Sequence, residues 1–153
     1  MSFWDSLRIG ASALTAQRLR LDVIANNVAN AETTRTAEGG PYKRQEVVFT
    51  TQGQDSSWLP ALVLARRRQT ASDALPMQGV QARQIIVADE AGPRVYEPNH
   101  PDADAEGYVT YPNVNIVTEM TNLLSATRSY EAGLAVVEAA KRMALRALEI
   151  GRG

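Results

Sequence analysis

The chain has 153 residues, 44% of them hydrophobic, and a formal charge of −1: one domain's worth of material, with apolar content for a modest core. That near-neutral balance gives no electrostatic footprint for nucleic acid or an anionic membrane surface. There is no cysteine, which excludes disulfides and thiolate metal sites.

At the N-terminus, Arg8, Gln17, Arg18 and Arg20 interrupt the apolar residues, so the pattern of a cleaved secretory signal is not met. Leu7, Leu14, Leu21 and Val28 instead fall at heptad spacing, with Ala11, Arg18 and Ala25 between them. This predicts an amphipathic helix over residues 2–30, with a narrow seam suited to a close-packed partner helix. Arg18 in that seam points to an edge or an interchain acceptor. Asn26, Asn27 and Asn30 crowd the end of the helix, and amides that both donate and accept can fix register between helices. A plain C-terminal cap is the alternative for Asn30.

Residues 33–41 shift to Thr, Glu, Gly and Pro and read as a loop. The β-prone run 42–50 follows, centred on Val47, Val48 and Phe49. In 52–76, Trp58, Leu59, Leu62, Val63 and Leu64 are candidates for burial. The Arg66, Arg67, Arg68 run reads as a solvated edge or an interchain ion-pair site rather than a nucleic-acid patch, because no aromatics interleave it. A strand is expected over 80–89 and resumes at 94–96, giving a small β-rich module of two to four strands.

Asp102, Asp104, Glu106 and Gly107 imitate the opening of a calcium loop, but the position of the final bidentate glutamate holds Asn113. A polar turn is the better reading. His100, the single histidine, has no neighbours for a triad or a zinc site. No catalytic residue, metal site or cofactor site is predicted, and an enzyme or calcium-regulated module ranks last.

Ile116, Met120, Leu123, Thr127, Tyr130, Leu134, Val137, Lys141, Ala144 and Leu148 recur at steps of three and four, which predicts one helix over 116–150. Pro112 lies outside it, Asn113 or Asn115 can cap it, and Glu119 sits near the positive end of its dipole. Gly151 suits a left-handed closing residue. Such a helix is too long for one small domain to cover, and its charges are incompatible with a membrane span. The expected fold is mainly α with a small β-rich insertion: a helix over 1–32, a loop and β module over 33–112, and a long C-terminal helix over 113–153 packing coiled-coil-like on the first.

Two stretches resemble a known family. IANNVANAETT (24–34) is similar to the N-terminal signature of bacterial flagellar rod and hook proteins, and NVNIVTEMTNLLSATRSYEAG (113–133) to the matching C-terminal one, in the same order. NHPDADAEGYVTYPNVN (99–115) and GPYKRQEVVF (40–49) narrow the likeness to the proximal-rod members. The resemblance covers about 7–49 and 95–151, and 52–76 matches nothing. It implies a structural subunit of the basal-body rod that assembles with copies of itself and other rod proteins, and that meets the membrane-ring or export-gate end. It implies export without a cleaved signal through the flagellar type III apparatus to the periplasm, with terminal helices poorly ordered before assembly and no direct membrane insertion. On this reading Leu14, Leu21, Val28, Met120, Leu123, Tyr130, Leu134, Val137 and Leu148 serve helix packing and assembly. Asn26, Asn27, Asn30, Asn113 and Asn115 serve register. The helix patterns alone equally suit a soluble coiled-coil adaptor that never polymerises.

Overall fold

The computed structural model describes residues 3–52 and 78–151. Trp58, Leu59, Leu62, Val63, Leu64, Arg66, Arg67 and Arg68 lie outside them. The element order is α1 (Phe3–Ala29), β1 (Gln45–Thr51), β2 (Val80–Val87), β3 (Arg94–Tyr96), β4 (Tyr108–Thr110) and α2 (Ile116–Ile150).

The two helices pack along each other. Gly10 faces Val137, Leu14 faces Gly133 and Asn27 bonds to Glu119, so they run antiparallel in one register. Small residues set the spacing: a Cβ on Gly10 would come within 2.6 Å of Val137 Cγ2. α2 is 35 residues and α1 is 27, roughly 52 Å and 40 Å of helix. Carried to the start of α1, the register reaches about Ala144. The segment 145–150 therefore runs past α1, with Leu145, Leu148 and Ile150 exposed.

Asn115 is the N-cap of α2, its side chain accepting from Thr118 N–H at 3.1 Å. The other end differs from expectation. Gly151 is right-handed (φ −76°), and its N–H continues the ladder to the Ala147 carbonyl. The last described turn is therefore closed without a left-handed residue.

The contact face is also rotated from the apolar stripe. On α2, Glu119, Ala126 and Ala140 are buried, and Leu123, Tyr130, Gly133, Val137 and Ala144 are half-buried. On α1, Gly10, Ala16, Val23, Ile24 and Asn27 are buried, Leu7, Leu14, Leu21 and Val28 are half-buried, and Ala11, Arg18 and Ala25 are exposed. Arg18 thus stands in solvent and needs no interchain acceptor to satisfy it.

The described β residues form two separate antiparallel ribbons. β1 pairs with β2 through a bulge at Val48/Phe49, and both strands pack on α1. The ribbon is anchored to the first half of α1 by Ser12, whose hydroxyl accepts from Val80 N–H at 3.1 Å. β3 pairs with β4, which follows directly on the acidic turn. Gly92 leads into this ribbon so close to the next chain segment that a Cβ there would fall 1.9 Å from the Tyr111 carbonyl.

Candidate assembly site: a buried polar joint and an outer helix face

Asn27 is the only amide buried to 1% exposure among the described residues, and all four of its hydrogen-bonding positions are used. Its Oδ1 accepts from Tyr42 O–H (2.9 Å) and Gln45 N–H (2.9 Å), and its Nδ2 donates to the Gln45 carbonyl (2.8 Å) and to Glu119 Oε2 (3.3 Å). It therefore grips both backbone groups of the first residue of β1, as a neighbouring strand would.

Glu119, equally buried, accepts from Arg44 Nε through its other oxygen at 2.9 Å. A carboxylate in such a place requires a charged partner and hydrogen bonds, and Arg44 and Asn27 supply them. Glu119 sits in the first turn of α2, where its charge also faces the positive end of the dipole. Burial, and secondarily the charge of Glu119, push the Tyr42 phenol above its ordinary value. Its O–H therefore stays protonated as the donor to Asn27 while it accepts from Asn26 Nδ2 at 3.3 Å.

Asn26, Asn27 and Asn30 thus gather at one end of α1. Asn30 Nδ2 donates to Asn26 Oδ1 at 2.9 Å and Thr33 O–H to Asn30 Oδ1 at 3.2 Å, which turns the chain out of the helix. Asn113 stands apart, donating to Glu90, and Asn115 acts as the cap. Tyr42, Arg44 and Glu119 complete the joint and were not singled out for it in the sequence. The available signal was an acid at 119 in step with Leu123 and Ala126 on the contact face.

The acidic turn is occupied by its own fold. Asp104 Oδ1 accepts from the amides of Glu106 and Tyr108 (2.9 Å each), and Oδ2 from Arg94 Nη2 (2.6 Å). Asp102 takes the Thr34 hydroxyl at 2.8 Å and pairs with Arg35, which ties this turn to the loop after α1. His100 Nδ1 accepts from Asp102 N–H at 3.1 Å. These side chains shape a turn instead of presenting free ligands.

Of the nine apolar candidates, Leu14, Leu21, Val28, Leu123, Tyr130 and Val137 are half-buried. Met120, Leu134 and Leu148 are 53%, 43% and 67% exposed. Met120 and Leu134 lie beside the contact with α1, and Leu148 runs past it. Val117, Leu124, Val136 and Met143 are exposed as well, so α2 shows apolar residues on both flanks of its inner face and on the face opposite it.

A pair of terminal helices in antiparallel register carrying a small β insertion is the arrangement that the resemblance to the flagellar axial class implies. The comparisons make this specific. Residues 7–35 match the family described as "Flagella basal body rod protein", and 105–150 match "Flagellar basal body rod FlgEFG protein C-terminal". The chain is 41% identical to the flagellar basal-body rod protein FlgC of Bacillus subtilis, over 99% of this chain and all of the relative. It is 39% identical to FlgC of Borreliella burgdorferi, over the whole of both chains, and 37% identical to FlgC of Salmonella typhimurium, over 99% of this chain and all of the relative. The chain belongs to the FlgC family: it is a structural, non-enzymatic subunit of the proximal rod of the flagellar basal body. No described helix is long and apolar enough to cross a membrane.

Proposed function

We propose that the chain assembles into the axial structure through the outer face of α2, meeting copies of itself and other rod proteins, and there carries motor torque towards hook and filament. The observation behind this reading is the apolar surface that the chain leaves uncovered on α2, which continues past the start of α1 at Leu145, Leu148 and Ile150. Apolar area removed from water at about 25 cal/mol per Å² drives such association. A head-to-tail contact that does not close produces an open helical array. In this role Met120, Leu134 and Leu148 face neighbouring subunits. Leu14, Leu21, Val28, Leu123, Tyr130 and Val137 hold the two helices together, and Asn26, Asn27, Asn30, Asn113 and Asn115 set the register. Residues 1–32 and 113–153 are then the rod-forming arms and 33–112 the module between them. The protein reaches the periplasm without a cleaved signal, through the type III apparatus, and abuts the membrane-ring or export-gate end.

The test is electron microscopy of basal bodies from a strain lacking this chain, scored with motility. Missing rods and immotile cells are expected. Intact rods and normal swimming would leave the non-polymerising adaptor in its place.

A further inference from the structure

We propose that the β3–β4 ribbon is a seat, built around Tyr96, for the C-terminal helix end of the next axial subunit. This rests on the rod reading above and names the surfaces that meet. The Tyr96 ring is 62% exposed, yet its position is fixed. Tyr108 meets it edge-on, with ring centroids 5.3 Å apart. Gly107, left-handed at φ +82°, leaves room for it, because a Cβ there would fall 2.9 Å from Tyr96 Cε2. Arg94 lies over the Tyr108 ring at 5.0 Å and pairs with Asp104, which steadies the ribbon from the other side. A ring held still in water contributes little to the isolated subunit. Ordered before contact, it loses little entropy when it is covered, and tyrosines of this kind are common anchors of interfaces.

Beside the ring lies an open groove of about 490 Å³, lined by Tyr96, Pro98, Asn99, His100 and Pro101. Its surroundings are acidic. Glu97 accepts from the Tyr111 hydroxyl, while the exposed Glu106 carboxylate has no partner among the described residues. An aromatic face with anionic neighbours suits a cation carried on an apolar stem.

The end of α2 has the complementary chemistry. Leu145, Leu148 and Ile150 are exposed where the helix runs past α1. Arg142 and Arg146, four residues apart, share one face with Leu145 at its edge. Both are exposed, and neither forms an ion pair with a described residue. The two surfaces cannot meet within one subunit. Thr34 ties the ribbon's turn to the loop after α1, whereas the α2 end lies beyond the start of α1, about 40 Å of helix away. A contact between opposite poles is heterologous and repeats without closing. The occupant is therefore a rod-type C-terminal helix from a neighbour, the segment that in this chain matches the family model over 105–150.

The contact forms between assembled subunits, so it does not require either helix to be ordered in the free chain, and it is read in assembled rods. Tyr96→p-benzoylphenylalanine keeps a para-substituted ring at an exposed position. Irradiated in purified basal bodies, it should yield an adduct with a peptide from the last turns of a rod subunit's C-terminal helix, 141–151 in this chain. An adduct with a membrane-ring protein or with any other part of a rod subunit overturns the proposal. So does the absence of an adduct in rods that contain the variant.

A charge reversal tests the seat where the photoreactive variant stays out of the rod. Glu106→Lys sets like charges across the contact and should cut spreading in soft agar about fivefold. Glu38→Lys, exposed in the loop after α1 and outside the groove, should spread as the parent does. Parent-like spreading of Glu106→Lys, or equal loss in both, overturns the seat. If rods are missing without the chain but the adduct lies elsewhere, the rod reading stands and only this contact falls.

Discussion

Asn27 illustrates how much one side chain can do when all its hydrogen-bonding capacity is used. In Asn27→Leu the shape is nearly kept, but Gln45 loses both side-chain contacts and Glu119 loses a donor in a buried place. Each unsatisfied buried group costs about 1–3 kcal/mol. We therefore expect a loss of roughly 3 kcal/mol, read as a fall in Tm of roughly 6–12 °C for a chain of this size. Glu119→Gln removes the buried charged partner of Arg44, which keeps only the exposed Glu46, and should destabilise by about 1–3 kcal/mol. A Tm within 2 °C of the parent for both would mean that the joint opens readily. Asp104 gives a pH signature. The Tyr108 amide foremost, with the Glu106 amide and Arg94, holds its carboxyl below the usual aspartate range. Because the folded value is the depressed one, the contribution is present above the ordinary aspartate pKa and is lost as pH falls through the lower, folded value. The Tyr108 and Glu106 amides should exchange faster, relative to the helices, as pH drops through that window. An unchanged ratio would show that the turn does not depend on the carboxylate.

At the scale of the elements, the helices illustrate what a sequence conveys. Steps of three and four, Pro112 outside and Asn115 at the cap define α2 so well that its bounds agree with expectation at both ends. The face was legible only in part. α2 carries apolar side chains around most of its circumference, so the most hydrophobic stripe, through Met120, Leu134 and Leu148, dominates any periodicity. The contact itself uses Ala126, Gly133 and Ala140, which contribute little hydrophobic signal but let the backbones approach. The joint was half legible: the asparagines stood out, while Arg44 and Glu119 are seventy-five positions apart in sequence, and only the fold brings them together. Close packing gives its own prediction. Gly10→Ala sets a methyl 2.6 Å from Val137 Cγ2, so the helices must move apart at a cost of about 1–3 kcal/mol. Gly10→Ala/Val137→Ala should recover part of that loss, and no recovery would place the strain elsewhere.

For the whole molecule, folding and assembly separate along α2. Deleting 145–153 removes Leu145, Leu148 and Ile150, which run past α1, so thermal unfolding of the shortened chain should stay within a few degrees of the parent. The same deletion should abolish motility and rods. Leu134→Asp, at a position 43% exposed, should behave likewise: surface substitutions typically stay within about 0.5 kcal/mol, while a charge in an assembled apolar interface costs far more. Full motility in both variants would move the assembly surface to another face.

The antiparallel register also gives the subunit two distinguishable poles. The start of α1 and the end of α2 lie at one. The turn after α1, tied through Thr34 to Asp102, lies at the other. A gold cluster on Glu149→Cys and one on Glu38→Cys would therefore mark opposite poles, and imaging the pair in a basal body would show which end of each subunit points towards the cell.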